Sequence, residues 1–173
     1  PVSPGSHPAV VFIHGSGVSD RDMLWYLQMA DYLARREIVV LLPDKRGCGK
    51  SGGQWHTSSF QDYAEDALAA VKYLRQLPSV DPRGVGLIGM SQGGWVAPLA
   101  AAQSDEVAFI VSYSGSAAPL RDTVCHELSC DIRDSGVPRW LVPVVEPAVH
   151  RRVLKELPDF WRINGAYDPI EYW

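Results

Sequence analysis

The chain has 173 residues, of which 46% are hydrophobic and 21% are charged, a composition typical of one globular domain. A chain of this length buries enough apolar surface to fold without a disulfide or a metal ion as a staple. The formal net charge of -4 argues against a nucleic-acid partner or an anionic membrane surface, because both favour a basic protein face.

The cysteines and the N-terminus bear on the compartment in which the protein resides. Cys48, Cys125 and Cys130 lack the spacing that holds zinc, and we interpret them as free thiols in a reducing compartment. A disulfide between Cys125 and Cys130 is the alternative. No signal peptide or membrane-spanning segment is recognisable, so a cytoplasmic location is the default expectation. The chain begins at Pro1 without an initiator methionine, and we expect an N-terminal piece to be missing.

Short apolar runs alternate with longer stretches that have the pattern of helices. The runs fit strands that are buried on both faces, and they lie at 8–13, 38–42, 85–89 and 107–111. The stretches between them have the apolar spacing or the small residues of helices, at 22–36, 59–74 and 93–103. This α/β order predicts a mostly parallel sheet flanked by helices on both faces.

Finer features of these elements are also predicted. The apolar stripe of the first helix consists of Met23, Leu27, Ala30 and Ala34. That of the second helix consists of Phe60, Ala64, Ala67, Val71 and Leu74. Ser59 and Asp62 have the spacing of a capping box at its start. Residues 78–83 are predicted to form a turn. Pro98 should interrupt the third helix, and we expect a kink or an early helix turn there.

The chain changes character after Gly115. Residues 117–173 contain no convincing strand, and their helical stretches are broken by six prolines. Their tryptophans and tyrosines argue against a disordered tail. We therefore predict two parts: residues 1–116, which carry the sheet, and residues 117–173, a helical cap or lid.

The sequence G-M-S-Q-G at 89–93 has the pattern G-x-S-x-G, directly after a predicted strand and directly before a predicted helix. This context is typical of a strained turn that exposes a nucleophilic serine at the carboxyl end of a sheet. Side chains at Gly89 or Gly93 would collide with the neighbouring strand and helix. We predict that Ser91 is the nucleophile. The alternative is a glycine-serine turn that fits the pattern by chance.

The sequence H-G-S-G at 14–17 follows the first predicted strand. Acyl transfer from a serine passes through an oxyanion, which needs preorganised N–H donors worth about 3–4 kcal/mol each. We predict that these donors are the backbone N–H groups of Gln92 and Ser16. Gly15 and Gly17 would allow the backbone to approach.

Together these motifs resemble those of the α/β-hydrolase superfamily. H-G-S-G, D-K-R-G-C-G-K-S-G-G and G-M-S-Q-G-G follow the first, second and third strands, and the likeness covers residues 8–116. It is strongest to the bacterial esterase, dienelactone-hydrolase and acyl-peptidase-like branch. The resemblance implies a partial α/β-hydrolase core, a structural loop at 44–49 near the site, and a cap over roughly 117–173.

Two partners of the nucleophile are not recognisable. In this superfamily a carboxylate and a histidine follow the nucleophile at strand ends, whereas His126 and His150 lie in the predicted helical cap and Asp168 at its end. His126 as the base is an alternative. His14 precedes the nucleophile, so we interpret it as a structural residue of its loop. We expect the chain to be a fragment without its acid and base, and nearly inactive alone.

The predicted function is that of a serine hydrolase acting on small acyl esters through an acyl-enzyme intermediate, without a metal or an organic cofactor. A thioesterase or a serine peptidase of the same fold is an alternative. A non-catalytic binding module is the second hypothesis; the missing triad partners favour it, and the intact motifs argue against it. Matches to nucleotide-binding patterns at 84–89 and 49–51 lack the required strand and helix context.

Overall fold

The computed structural model describes residues 5–173 and confirms the predicted α/β architecture. Its strands are β1 His7–Ile13, β2 Val39–Leu41, β3 Val80–Met90 and β4 Ile110–Tyr113. Its helices are α1 Leu24–Ala34, α2 Phe60–Arg75, α3 Gln92–Ala101, α4 Leu120–Asp134, α5 Val142–Glu156 and α6 Pro158–Asn164. Short 3-10 helices lie at Trp55–Thr57 and Pro169–Tyr172. The strands pair in parallel in the order β2-β1-β3-β4, so their carboxyl ends meet at one edge.

The central strand β1 is apolar from Ala9 to Ile13 because both of its faces are covered there. Val10 and Phe12 face α1, whereas Val11 and Ile13 belong to the cluster formed with α2 and α3. Alternate residues of a strand point to opposite faces, so a strand buried on both faces has no polar alternation. The continuous apolar run in the sequence thus reflects helices on both sides of the sheet.

The predicted apolar stripe of α1 is wrong. Met23 and Leu27 are 37% and 43% exposed, whereas Tyr26 is 1% exposed. Met29 and Leu33 pack on the same side as Tyr26. Both sets of residues have helical spacing, so periodicity alone could not choose between them. The Tyr26 ring favours the observed rotation of the helix, because it packs edge-on against Phe12 of β1 and its hydroxyl accepts a hydrogen bond from the loop that follows β1.

Helix α2 agrees with the sequence in detail. All five residues of its predicted stripe are buried. Asp62 N–H donates to Ser59 Oγ over 3.0 Å, and Ser59 N–H donates to Asp62 Oδ2 over 2.7 Å, which completes the capping box. In α3 the expected interruption does not occur, since the helix continues through Pro98. The proline ring is fully buried, and this burial offsets the hydrogen bond that proline lacks.

Two boundaries also differ from the prediction. Strand β3 begins at Val80, inside the predicted turn, because Val80 pairs with His7. The register then shifts before Ala9 pairs with Val85, so the turn-forming residues are accommodated as an irregularity within the strand. Strand β4 begins at Ile110, three residues later than 107.

The described part of residues 117–173 contains helices and no strand, as the sequence predicts. Asn164 anchors α6 to the start of α2, because its Oδ1 accepts from Phe60 N–H over 2.8 Å. Tyr167 donates its hydroxyl hydrogen to the Trp95 carbonyl of α3 over 2.7 Å. None of the helices in residues 5–173 combines the length and apolar character needed to cross a bilayer. The division into a core and a cap stays a prediction.

Candidate active site

Ser91 occupies the sharp turn between β3 and α3. Its backbone has φ 47° and ψ -111°, a conformation that costs about 1–3 kcal/mol for a residue other than glycine. Two hydrogen bonds hold the turn: Ser91 N–H donates to the Tyr113 carbonyl, and Gly94 N–H donates to the Ser91 carbonyl, each over 2.8 Å. The turn therefore lies where β3, β4 and α3 converge at the carboxyl edge of the sheet.

Two glycines make this turn sterically possible. A Cβ atom on Gly89 would lie 2.1 Å from the Gly93 carbonyl oxygen. A Cβ atom on Gly93 would lie 2.2 Å from the Ile13 carbonyl oxygen. Strand, turn and helix thus pack with no space for side chains at these positions. The strained turn has the geometry expected of a nucleophile elbow, and the role of Ser91 as nucleophile stays a prediction.

The loop after β1 borders Ser91. A Cβ atom on Gly15 would lie 3.7 Å from the Cβ of Ser91. Gly15 N–H donates to the Tyr26 hydroxyl over 2.9 Å. By contrast, the N–H groups of Ser16 and Gln92 have no hydrogen-bond partner among residues 5–173. They are therefore available to an oxyanion, and their predicted role remains to be tested.

His14 is buried at the base of this loop. Its Nε2 lies 2.6 Å from the Pro43 carbonyl, which can only accept, so Nε2 carries the proton and donates. Its Nδ1 then accepts from the Ser19 hydroxyl over 2.8 Å. Burial lowers the pKa of His14 from its ordinary value. Both ring nitrogens are thus engaged by the protein, and the ring is neutral at neutral pH.

Lys45 is a site residue that the sequence analysis missed. Its ammonium donates to the Gly15 carbonyl and to Gln92 Oε1 over 2.7 Å each, and to the Gly17 carbonyl over 3.2 Å. The side chain is buried, and this burial lowers the pKa of Lys45 to about 8. The ammonium lies 5.1 Å from the centre of the Tyr63 ring. Lys45 therefore joins the loop after β1 to the start of α3.

A buried carboxylate holds the loop that carries Lys45. Asp44 accepts from Arg21 Nε over 2.9 Å, from Arg21 Nη2 over 2.6 Å, and from Lys50 N–H over 2.9 Å. These bonds, chiefly those from Arg21, keep the pKa of Asp44 far below its ordinary range. A Cβ atom on Gly49 would lie 2.6 Å from Asp44 Cγ, so the loop closes tightly around the carboxylate.

A signal for Lys45 was present in the sequence. It follows β2, which pairs with β1, and the carboxyl ends of neighbouring parallel strands meet at one edge. A long cationic side chain at that position can therefore reach the loop after β1. For Tyr26 the sequence offered no comparable signal, because its contact with Gly15 depends on the rotation of α1.

No triad partner contacts the nucleophile within the described part of the chain. Among residues 5–173, no histidine or carboxylate forms a hydrogen bond with the Ser91 hydroxyl. His126 Nε2 lies 3.7 Å from Cys130 Sγ, and His150 Nε2 lies 3.2 Å from Ser129 Oγ. No contact between His126 and Ser91 among the described residues therefore supports the alternative in which His126 is the base.

The described residues contain no group of three or more His, Cys, Asp or Glu side chains placed to share a metal ion. The three cysteines are free thiols. A cavity of about 450 Å³ opens between the sheet and α2. Ser91 is not part of its wall, so we do not interpret it as the acyl pocket. Its polar lining includes His14, Lys45, Tyr63, Asp66 and Gln92.

Comparison with known proteins agrees with this geometry. The sequence profile of the alpha/beta hydrolase family matches residues 10–172. Thiohydrolase aneE of Aspergillus aculeatus is 31% identical over 140 residues, which are 80% of this chain and 40% of that protein. Esterase EstD of Thermotoga maritima is 30% identical over 133 residues, 74% of this chain and 32% of that protein. The chain thus spans less than half the length of both relatives.

A solved structure shows the same fold. The alpha/beta hydrolase GrgF from a Penicillium species superposes with a TM-score of 0.68 at 20% sequence identity. The superposition covers 97% of this chain and 67% of that protein. The superposition therefore includes the helical segment that follows β4 as well as the sheet.

Proposed function

This chain belongs to the alpha/beta hydrolase family, and from that premise we propose that it carries the nucleophile of a serine hydrolase acting on carboxylic esters. The position of Ser91 carries the proposal. It lies on a strained turn, directly before Gln92 and close to Gly15, the residue before Ser16. The N–H groups of Gln92 and Ser16 have no hydrogen-bond partner among the described residues. A module that only binds a ligand gains nothing from this strain, whereas a nucleophile gains exposure and an adjacent oxyanion site.

The proposed reaction has two steps. Ser91 Oγ attacks the ester carbonyl carbon while a base takes its proton, and the negative charge on the carbonyl oxygen is held by the N–H groups of Gln92 and Ser16. The carbon–oxygen bond to the alcohol then breaks, and the alcohol leaves with a proton. Water hydrolyses the acyl-enzyme to the carboxylic acid and free Ser91. Within residues 5–173, no side chain contacts Ser91 as the base.

A fluorophosphonate probe tests the role of Ser91, because it labels only an activated serine beside a working oxyanion site. We expect one adduct per chain by intact-mass spectrometry of the naturally occurring protein, with any sequence that flanks this chain. Ser91→Ala should abolish the adduct. Ser114→Ala is the matched control, since Ser114 is exposed and also has a left-handed backbone, with φ 55°. Equal labelling of Ser91→Ala would overturn the proposal in favour of a binding module.

The leaving group distinguishes the alternatives within this class. Thioester and peptide cleavage use the same acyl-enzyme, and the relative named as a thiohydrolase favours the thioester among them. We expect kcat/KM to be highest for an oxygen ester when oxygen ester, thioester and anilide of one acyl group are compared. A higher value for the thioester would assign the protein to the thioesterases instead.

A further inference from the structure

We propose that Lys45 is a positioning residue that aims both oxyanion donors, an inference that rests on the proposed hydrolase function. Its ammonium contacts the Gly15 and Gly17 carbonyls on one side and the Gln92 side chain on the other. These are the two segments that supply the predicted donors. One cation therefore fixes the relative position of two backbone segments that are distant in sequence.

The contact with Gly15 determines where the Ser16 N–H points. The Gly15 carbonyl and the Ser16 N–H belong to one peptide group, and in a trans peptide they point in opposite directions. Because Lys45 Nζ holds that carbonyl at 2.7 Å, the N–H must face away from the lysine. The ammonium also polarises the peptide group, and this makes the N–H a stronger donor.

The contact with Gln92 acts on the second donor. Gln92 is the first residue of α3, where the N–H groups have no partner within the helix. Its side chain is buried, and its Oε1 accepts from Lys45 over 2.7 Å. The residue is thereby fixed through both its backbone and its side chain, directly after Ser91.

Packing alone does not explain why a charged side chain is buried at position 45. Its three N–H donors match three acceptors, and none of these acceptors is a carboxylate. The neighbouring Asp44 is engaged by Arg21. An ammonium without a carboxylate partner is costly to bury, so a purely structural role would favour a neutral side chain. Beside a forming oxyanion the same charge is favourable.

A pH titration monitored by NMR tests the positioning directly and needs no catalytic activity. Loss of the proton removes one donor and the charge, so the amide resonances of Ser16 and Gln92 should shift with a midpoint near pH 8. The shift should disappear in Lys45→Met and persist in Lys50→Met, an exposed lysine of the same loop. Amides that do not move in the unchanged chain, or that move equally in Lys45→Met, would overturn the inference.

Other titratable groups near Lys45 need separate control. They lie on its own loop, on α2, after β1 and on α1: Asp44, Cys48, Tyr63, His14 and Tyr26. The Cys48 thiol on the same loop interacts electrostatically with Lys45, but it forms none of the hydrogen bonds to Gly15, Gly17 and Gln92. Cys48→Ala should therefore retain the shift of both amides. If Cys48→Ala abolishes it and Lys45→Met does not, the thiol is responsible and the inference fails.

Fluorophosphonate labelling then tests the consequence for Ser91. Losing one oxyanion donor lowers rates by about 10²–10³-fold, so misaiming it in Lys45→Met should slow labelling by roughly 10- to 100-fold. Lys50→Met should label at the rate of the unchanged chain. Equal labelling rates for Lys45→Met and Lys50→Met would contradict the positioning role of Lys45, and they would leave the proposed role of Ser91 unaffected. If Ser91 does not react in the naturally occurring protein, with any sequence that flanks this chain, the proposed function fails, and the inference fails with it.

Discussion

Two basic side chains are buried at the site, and burial gives them different charges at neutral pH. Burial lowers the pKa of His14 from 6.5, so its ring is neutral and can accept from Ser19. Burial also lowers the pKa of Lys45, but only to about 8, so its ammonium remains largely charged. The histidine thus shapes the loop as a neutral hydrogen-bonding ring, whereas the lysine brings a positive charge to the same loop.

The neutral state of His14 predicts how stability depends on pH. In the unfolded chain the ring takes up a proton near 6.5, but in the folded protein only at lower pH. The unfolded state therefore binds more protons as the pH falls, so the free energy of unfolding should decrease below about pH 6.5. Urea unfolding at several pH values measures this slope. His14→Gln should reduce it, and His56→Gln, at an exposed position, should not. An unchanged slope in His14→Gln would contradict the assignment.

At the scale of elements, the junction of β3 and α3 is closed by backbone contacts. The helix begins directly after the strained Ser91, and the strand, the turn and β1 approach one another where glycines leave no side chain. Such an arrangement is rigid because backbone atoms contact backbone atoms, and no side chain is present that could relieve a clash by changing its rotamer. It holds Ser91 in a conformation that an isolated segment would not keep.

Gly89→Ala should therefore be strongly destabilising. Its Cβ would lie 2.1 Å from a carbonyl oxygen of α3, so strand and helix must separate. We expect the free energy of unfolding in urea to fall by about 3 kcal/mol or more. Gly52→Ala is the matched control, because a Cβ there meets no atom within 4 Å, and it should change stability by less than about 0.5 kcal/mol. Similar values for the two variants would disprove the steric explanation.

One amide side chain, that of Asn164, forms hydrogen bonds between α6 and the start of α2. Asn164 accepts from Phe60 N–H and donates to the Ser58 carbonyl over 3.2 Å. Asn164→Ala would leave both groups unpaired, and we expect a loss of about 1–3 kcal/mol in thermal or urea unfolding. Arg162→Ala, on the exposed side of the same helix, should cost less than about 1 kcal/mol. If Asn164→Ala lowers stability no more than Arg162→Ala does, α6 is held by its apolar contacts instead.

At the scale of the molecule, the sheet is covered unevenly. Helix α1 packs over β1 and its neighbours, but the same face of β4 exposes Val111 and Tyr113, and Phe109 directly before the strand is exposed as well. Among residues 5–173, no strand pairs with the outer edge of β4. An edge strand with apolar side chains and unpaired backbone groups is a site of association between chains.

We therefore expect this chain to self-associate through β4. Val111→Lys should shift the sedimentation-velocity distribution towards the monomer at high protein concentration, because a charge on an edge strand opposes pairing. Val144→Lys adds the same charge on α5, where the valine is 69% exposed, and should leave association unchanged. Equal effects of both substitutions would indicate general charge repulsion instead of edge pairing.

Several features could be predicted because they depend on neighbours in sequence. The capping box of Ser59 and Asp62 joins residues three apart, and the elbow needs glycines within two residues of Ser91. The burial of α2 followed from its stripe because no competing apolar face exists on that helix. On α1 two apolar faces compete, and the predicted stripe contains the exposed Met23 and Leu27 instead of the buried Tyr26.

The sequence by itself determined the α/β order, the family and the turn that carries Ser91, because strand burial and tight turns are encoded in local residue types. Only the tertiary structure decided the surroundings of that turn. Lys45 reaches partners 30 and 47 residues away, and Tyr26 reaches Gly15 only through the rotation of α1. The position of Lys45 after a strand places it at the carboxyl edge of the sheet, but the partners of both side chains depend on how the elements pack across that edge.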